Sequence, residues 1–183
     1  MTDTSTAAVP TRAFNWSLAS FRAAPLKYVG VTTVIFIRYF MGLFFFAAGI
    51  NKLRNGWAWT DYLKGVFEAR VADLTALTEP SAIEAFGLMY LKTFGIPLHL
   101  PIGILVTLGE LGAGLGFFLG LGTRWAGAVA MFLMFNFGIG GYYDASLIPL
   151  CILALVIVLT PSGHWLGLDR RFALRYVGAL WFR

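Results

Sequence analysis

Apolar residues along this chain fall into four blocks separated by polar intervals of unequal length. The first, Val31 to Lys52, reads VTTVIFIRYFMGLFFFAAGINK, with Arg38 inside it. At roughly 1.5 Å of rise per residue, about twenty such residues span about 30 Å, the hydrocarbon thickness of a bilayer, and predict a membrane-crossing helix. Blocks at Leu100–Leu121, Arg124–Ile139 and Leu147–Thr160 predict three more, the last short at roughly 21 Å. The long interval Leu53 to His99 has its own pattern. Tyr62, Leu63, Val66, Phe67, Val71, Leu74 and Leu77 keep helical spacing, so an amphipathic helix is expected there. Ser81-x-x-Glu84 has the form of a capping box, predicting a second helix start, with Gly95 and Pro97 ending it.

The fold expected is therefore all-α: a polytopic membrane protein with a four-transmembrane-helix bundle and amphipathic helices in the loop between spans 1 and 2. Residues 1–30 form an amino-terminal interfacial segment, 31–160 the membrane domain with 53–99 outside the cytoplasm, and 161–183 a carboxy-terminal interfacial segment. The aromatics and cations of the two end segments suit anionic headgroups.

Composition removes several classes of function. The 183 residues are 58% hydrophobic and only 13% charged, with a mean hydropathy of +0.75, outside the habit of a soluble domain. A net charge of +5 without a basic-aromatic patch fits anionic lipid, and no nucleic-acid partner is expected. Cys151 is the one cysteine, so no disulfide within the chain, CxxC redox motif or covalent c-type haem is expected. His99 and His164 fall on opposite sides of the predicted membrane and cannot share a metal. Eight Lys and Arg lie in the amino end, the turn between spans 2 and 3 and the carboxyl end, against five in the long loop including Lys52. That bias puts both termini in the cytoplasm.

The charged residues inside the spans carry the candidate chemistry. Arg38, Gly42, Phe45, Gly49 and Lys52 share one face of the first helix, and a mid-membrane arginine, costing roughly 2.5–3.5 kcal/mol on insertion, should face protein, water or a carboxylate. In the second span Gly109, Gly112, Gly116 and Gly120 form a small-residue ridge suited to close helix packing. Glu110 lies on another face, with Gly103, Thr107, Gly114 and Phe117. Depths counted from the span ends bring Arg38 and Glu110 together, with Asn136 hydrogen-bonding from span 3. The pair has two readings, an internal structural ion pair or a site for an anion or polar substrate. Phe44, Phe45, Phe46, Tyr142 and Tyr143 are candidates to line an apolar slot, and Lys52 with Arg54 to draw an anion to the outer mouth. The stretch Gly138 to Asp144 is expected either to dip into the interior or simply to follow a tilted short span.

Arg38 opening the first span, Gly49-x-x-Lys52-Leu53 at its outer end, Glu110 in a glycine-rich second span, Gly122-Thr123-Arg124 in the tight turn and Gly167-Leu168-Asp169 after the last span together resemble the DoxX-like family. The length and the outer loop resemble its DoxD branch, the membrane subunit of thiosulfate:quinone oxidoreductase. The resemblance implies a bacterial inner-membrane subunit passing electrons from a reduced sulfur compound such as thiosulfate to a bound quinone, with no covalent cofactor. It carries over Arg38, Lys52 and Glu110 as site candidates; together with the reading of the residues, Arg38 and Glu110 are the catalytic candidates and Lys52, Asn136, Tyr142 and Tyr143 the substrate-binding ones. Whether the chain is itself an enzyme stays open, because no metal set, flavin motif or cysteine pair supplies an electron carrier. The competing reading is a non-catalytic accessory subunit docked on larger membrane subunits. A transporter is the weaker third, since no inverted repeat is evident.

Overall fold

The computed structural model describes residues 14–140 and 144–176, and these form helices joined by turns. A short helix α1 (Leu18–Ala23) precedes α2 (Pro25–Arg54), which is longer at both ends than the apolar block alone. Pro25 sits at the first position of α2, where its missing N–H costs nothing and its fixed φ favours a helix. The other two long helices are α5 (His99–Leu119) and α6 (Thr123–Ile139), followed by α7 (Leu147–Leu159). Of these, α2 and α5 are long and apolar enough to cross a membrane, and only 33% of each apolar window is buried. A soluble core helix would bury far more, so most of that surface requires a nonaqueous surrounding.

The inward stripe of α2 is as its sequence indicates: Arg38, Gly42, Phe45 and Gly49 are buried and Lys52 is nearly so. Glycine sets how closely α5 approaches. A Cβ on Gly114 would stand 2.6 Å from the Phe46 amide nitrogen, one on Gly49 2.8 Å from the Leu111 side chain, and one on Gly103 would overlap the Trp57 carbonyl. The face of α5 carrying Glu110 is thus its tightest packing surface, reversing the expectation that the ridge from Gly109 to Gly120 would hold that place. That ridge meets α6 less tightly, a Cβ on Gly116 standing 3.0 Å from Ala126 and one on Gly109 3.2 Å from Leu133, with nothing near Gly112.

The amphipathic loop folds as its spacing indicates. Helix α3 (Tyr62–Thr75) turns Leu63, Phe67 and Leu74 inward, where they pack with Leu91. Ser81 and Glu84 form the reciprocal capping box at the start of α4 (Ala82–Tyr90), which runs into one π-helical turn, Leu91–Gly95. His99 Nε2 and Asp61 Oδ1 stand 2.9 Å apart, tying the start of α5 to that of α3.

The carboxy-terminal segment is anchored to the bundle. Two short helices, α8 (Ser162–Trp165) and α9 (Asp169–Arg175), tuck Ser162, Gly163 and Asp169 into the bundle. Trp16 Nε1 donates to the Trp165 carbonyl at 3.2 Å, and Phe14, Trp16, Phe21 and Tyr28 cluster edge to face, joining the two end segments.

Candidate functional site

The predicted Arg38–Glu110 pair does not form. Arg38 Nη1 donates to the Ser162 carbonyl at 2.7 Å and Nη2 to the Leu166 carbonyl at 2.5 Å, while Glu110 Oε1 accepts from Lys52 Nζ at 2.7 Å. The cause is register. Counting depth from the ends of the apolar runs assumes that both runs start in one plane, whereas the glycine contacts set Gly42 beside Phe117 and Phe118, and Gly49 beside Leu111. That alignment puts Arg38 level with Gly120, leaving Glu110 ten residues along the helix, roughly 15 Å away. Glu110 is instead level with the residues next to Lys52. Asn136 also has other partners: its Nδ2 donates to the Phe132 carbonyl at 2.8 Å and its Oδ1 accepts from the Tyr90 hydroxyl at 3.3 Å.

The bundle therefore has two polar ends. At the Arg38 end, Gly120 and Gly122 take φ of +61° and +58°, the left-handed conformation that glycine adopts without cost. They close α5 with a Schellman-type bond from Leu121 N–H to the Gly116 carbonyl at 2.9 Å and lead directly into α6. Gly122 at the N-cap of α6 has no side chain to offer, and Asp169 supplies the cap from elsewhere in the chain. Its Oδ1 accepts from Gly122 N–H at 2.5 Å, and its Oδ2 accepts from Thr123 N–H at 3.2 Å and Thr123 Oγ1 at 2.9 Å. A carboxylate here satisfies free N–H groups and meets the positive end of the helix dipole. Leu168 and Asp169 N–H donate to the Leu119 and Gly120 carbonyls, and a Cβ on Gly167 would lie 2.7 Å from Gly120 Cα. The two glycine-led triplets and Arg38 are parts of one closure, and Arg38 itself is 0% exposed.

At the Lys52 end there is space. A cavity of about 610 Å³ lies among α2, α3, α4, α5 and α6, walled by Trp57, Phe67, Leu91, Phe132, Phe137 and other apolar side chains, with Lys52, Tyr90 and Asn136 as its polar members. Lys52 is 13% exposed and Glu110 2%. The ammonium also lies 4.8 Å from the centre of the Trp57 ring and 5.4 Å from that of Phe137, favourable cation–π positions. Lys52 has three donor hydrogens, and Glu110 takes one of them. Glu110 Oε2 and, one turn away, Thr107 Oγ1 are buried without a hydrogen-bond partner among the described residues.

Of the six residues expected at a site, Lys52 and Asn136 line the cavity and Glu110 supports Lys52, whereas Arg38 belongs to the opposite end. Tyr142 and Tyr143 lie outside the described residues, as does position 141, and with them the middle of the Gly138–Asp144 stretch, for which an inward dip and a plain tilted span are the alternatives. The aromatic lining is not the expected one: Phe45 is core, Phe46 packs on α5, and Phe44 is exposed. Lys52 is held by a carboxylate rather than standing at an open mouth, and Arg54 alone of the two is exposed. Tyr90 was not singled out by the sequence. Its place one turn before Phe94 on α4 gave no signal without knowing that α4 lies against α6.

Comparison with known proteins gives one match. No curated protein and no solved structure matches the chain. The DoxX family model matches residues 33–139, a stretch that takes in Arg38, Lys52, Glu110, the tight turn and Asn136. With more than half of its length matched and two apolar helices of membrane-crossing length, this chain belongs to the DoxX family of membrane proteins.

Proposed function

We propose that this protein is a four-crossing inner-membrane subunit, both termini cytoplasmic, that binds a quinone ring in the Lys52 cavity and serves a redox system drawing electrons from a reduced sulfur anion such as thiosulfate. The observation that carries the reading is an aromatic-walled cavity of about 610 Å³ with a cation whose donor capacity is only partly used. Exposed apolar side chains on α2, α5, α6 and α7, among them Phe36, Leu108, Phe135 and Ile152, support four crossings, α7 being the shortest of the four.

The residues present fit such a ring. Flat walls from Trp57, Phe132 and Phe137 offer stacking surface, and Lys52 offers N–H to a carbonyl oxygen. When bound, a quinone takes up two electrons and two protons to become the quinol, and joining two thiosulfate anions into one tetrathionate releases two electrons. Lys52 orients the ring and holds a proton at the oxygen, and Glu110 keeps the ammonium charged in a low-dielectric surrounding. Tyr90 and Asn136 supply a second polar contact across the cavity. Arg38 has an architectural role in this reading, holding the carboxy-terminal segment to the bundle. The DoxD branch is supported by the outer helices that roof the cavity.

Purification in mild detergent tests the proposal. Quinone should co-purify, added quinone should be reduced by thiosulfate, and Lys52→Met and Asn136→Ala should each weaken ring binding about tenfold or more. Absence of quinone and of turnover, with larger subunits in fixed stoichiometry, would favour an accessory role. The groove between α5 and α6 at Gly112, open where a neighbouring helix would pack, favours that second reading.

A further inference from the structure

We propose that the cavity opens sideways into the hydrocarbon between α5 and α6, so that its ligand is a single-tailed amphiphile whose tail leaves between Leu105 and Phe132. That the polar head is a quinone ring rests on the reading above; the sideways opening does not.

The lining has a gradient from buried to exposed. Leu63 and Leu91, 1% and 0% exposed, close the cavity beneath α3 and the π-helical turn, and Leu133, 4% exposed, closes it in the bundle core beside Gly109 of α5. On its other side the walls are Leu105, 69% exposed, and Phe132, 66% exposed, with Val129, 37% exposed, about one turn deeper along α6 than Phe132. Leu105 lies six residues into α5 and Phe132 seven before the end of α6, so both are roughly 10 Å inside the spans. The opening therefore faces lipid tails rather than water.

Polarity follows the same axis. Asn136 stands one turn nearer the loop end of α6 than Phe132, and Tyr90 comes down on it from α4. Lys52 is held at the last turns of α2, near that same end. Polar groups thus gather near the membrane surface, and apolar ones line the way into the hydrocarbon. A water-soluble ligand has no use for such a gradient, whereas an isoprenoid or acyl amphiphile matches it, head toward the surface and tail toward the bilayer.

The test uses the full-length protein in lipid nanodiscs, with Cys151→Ser as background and Leu133→Cys as a thiol on the cavity wall. A maleimide bearing an acyl chain should label that thiol at least tenfold faster than a sulfonated maleimide. Val129→Trp, filling the opening, should slow the acyl reagent at least fivefold, and Leu63→Trp, under the loop helices, should not. Equal labelling by the sulfonated reagent, or slowing by Leu63→Trp in place of Val129→Trp, would overturn the proposal by placing the opening at the aqueous end. Val106→Cys repeats the measurement if Leu133→Cys does not fold. Labelling needs no quinone. If this pattern holds while quinone fails to bind, the opening stands and the head group is of another kind; if quinone binds while the pattern fails, the opening is wrong and the ring site survives.

Discussion

At one end of α2 the Arg38 guanidinium is met by two backbone carbonyls, and at the other the Lys52 ammonium is met by one carboxylate at the edge of a cavity. Both cations lie on one buried stripe of one helix, so sequence periodicity treats them alike. Their partners make the difference. Carbonyls already fixed in turns cannot change charge or move far, and an arginine bound to them in a filled space holds the chain together. An ammonium that lines a cavity and gives one of its three hydrogens to a carboxylate has donors left to offer, which suits a ligand. Charge within a membrane marks function by default, yet here the more deeply buried of the two cations is the one whose space is filled and whose partners are backbone carbonyls.

This contrast breaks most readily at the closed end. Arg38→Ala takes the guanidinium from the Leu166 carbonyl, at roughly 1–3 kcal/mol, leaves the Ser162 carbonyl only the long bond from Leu166 N–H at 3.3 Å, and opens a cavity, about 5 kcal/mol in all. Thermal unfolding in detergent should show that loss, and combining Arg38→Ala with Glu110→Leu should give a purely additive effect, as expected of distant sites.

Lys52→Met should cost roughly 3–5 kcal/mol by stranding the Glu110 charge. The double variant Lys52→Met/Glu110→Leu should regain most of that stability while still failing to bind ligand. If the double variant is no more stable than the single, the ion pair is not what links the two residues.

Asp169→Ala should cost about 1–2 kcal/mol, the range of a lost helix cap, and amide exchange should rise in the first turn of α6 while the Lys52 cavity keeps its ligand. Tyr90→Phe should leave the unfolding temperature nearly unchanged and weaken ligand binding by about fivefold, roughly 1 kcal/mol for one neutral hydrogen bond.

The smallest effect concerns acid. The Ser81 hydroxyl and amide both donate to Glu84, at 2.7 and 2.8 Å, and hold its carboxyl below the ordinary carboxylate value. A lowered folded-state pKa means that the support to α4 is complete above the unfolded value of about 4.3 and is lost as pH falls through the folded one. Backbone NMR of α4 between neutral pH and acid should show its first turn fraying there, and Glu84→Gln should abolish that acid dependence.

Much of the fold was legible because it follows from local rules. The inward stripe of α2 rests on helical periodicity, and the capping box at Ser81 and Glu84 on spacing within one turn. The boundaries of α5, α6 and α7 lie within two residues of the apolar blocks. What escaped was set between elements. Which carboxylate meets which cation depends on how α2 slides along α5, and that is decided by glycines touching backbone, as at Gly114 and Phe46. The Asp169 cap joins residues 46 and 47 positions apart, with no periodicity to signal it. The cavity is space left over after packing, which no single segment encodes.

The bond between Arg38 and the Ser162 carbonyl spans 124 positions of the chain. During synthesis the arginine leaves the ribosome long before its partners exist, and it must wait in the translocation machinery or against lipid headgroups until residues 162 to 166 arrive. The bundle thus closes at this end only after residue 166 has been made, and a product halted before Leu166 would carry an unmatched charge in α2, a mark by which membrane proteases could recognise it.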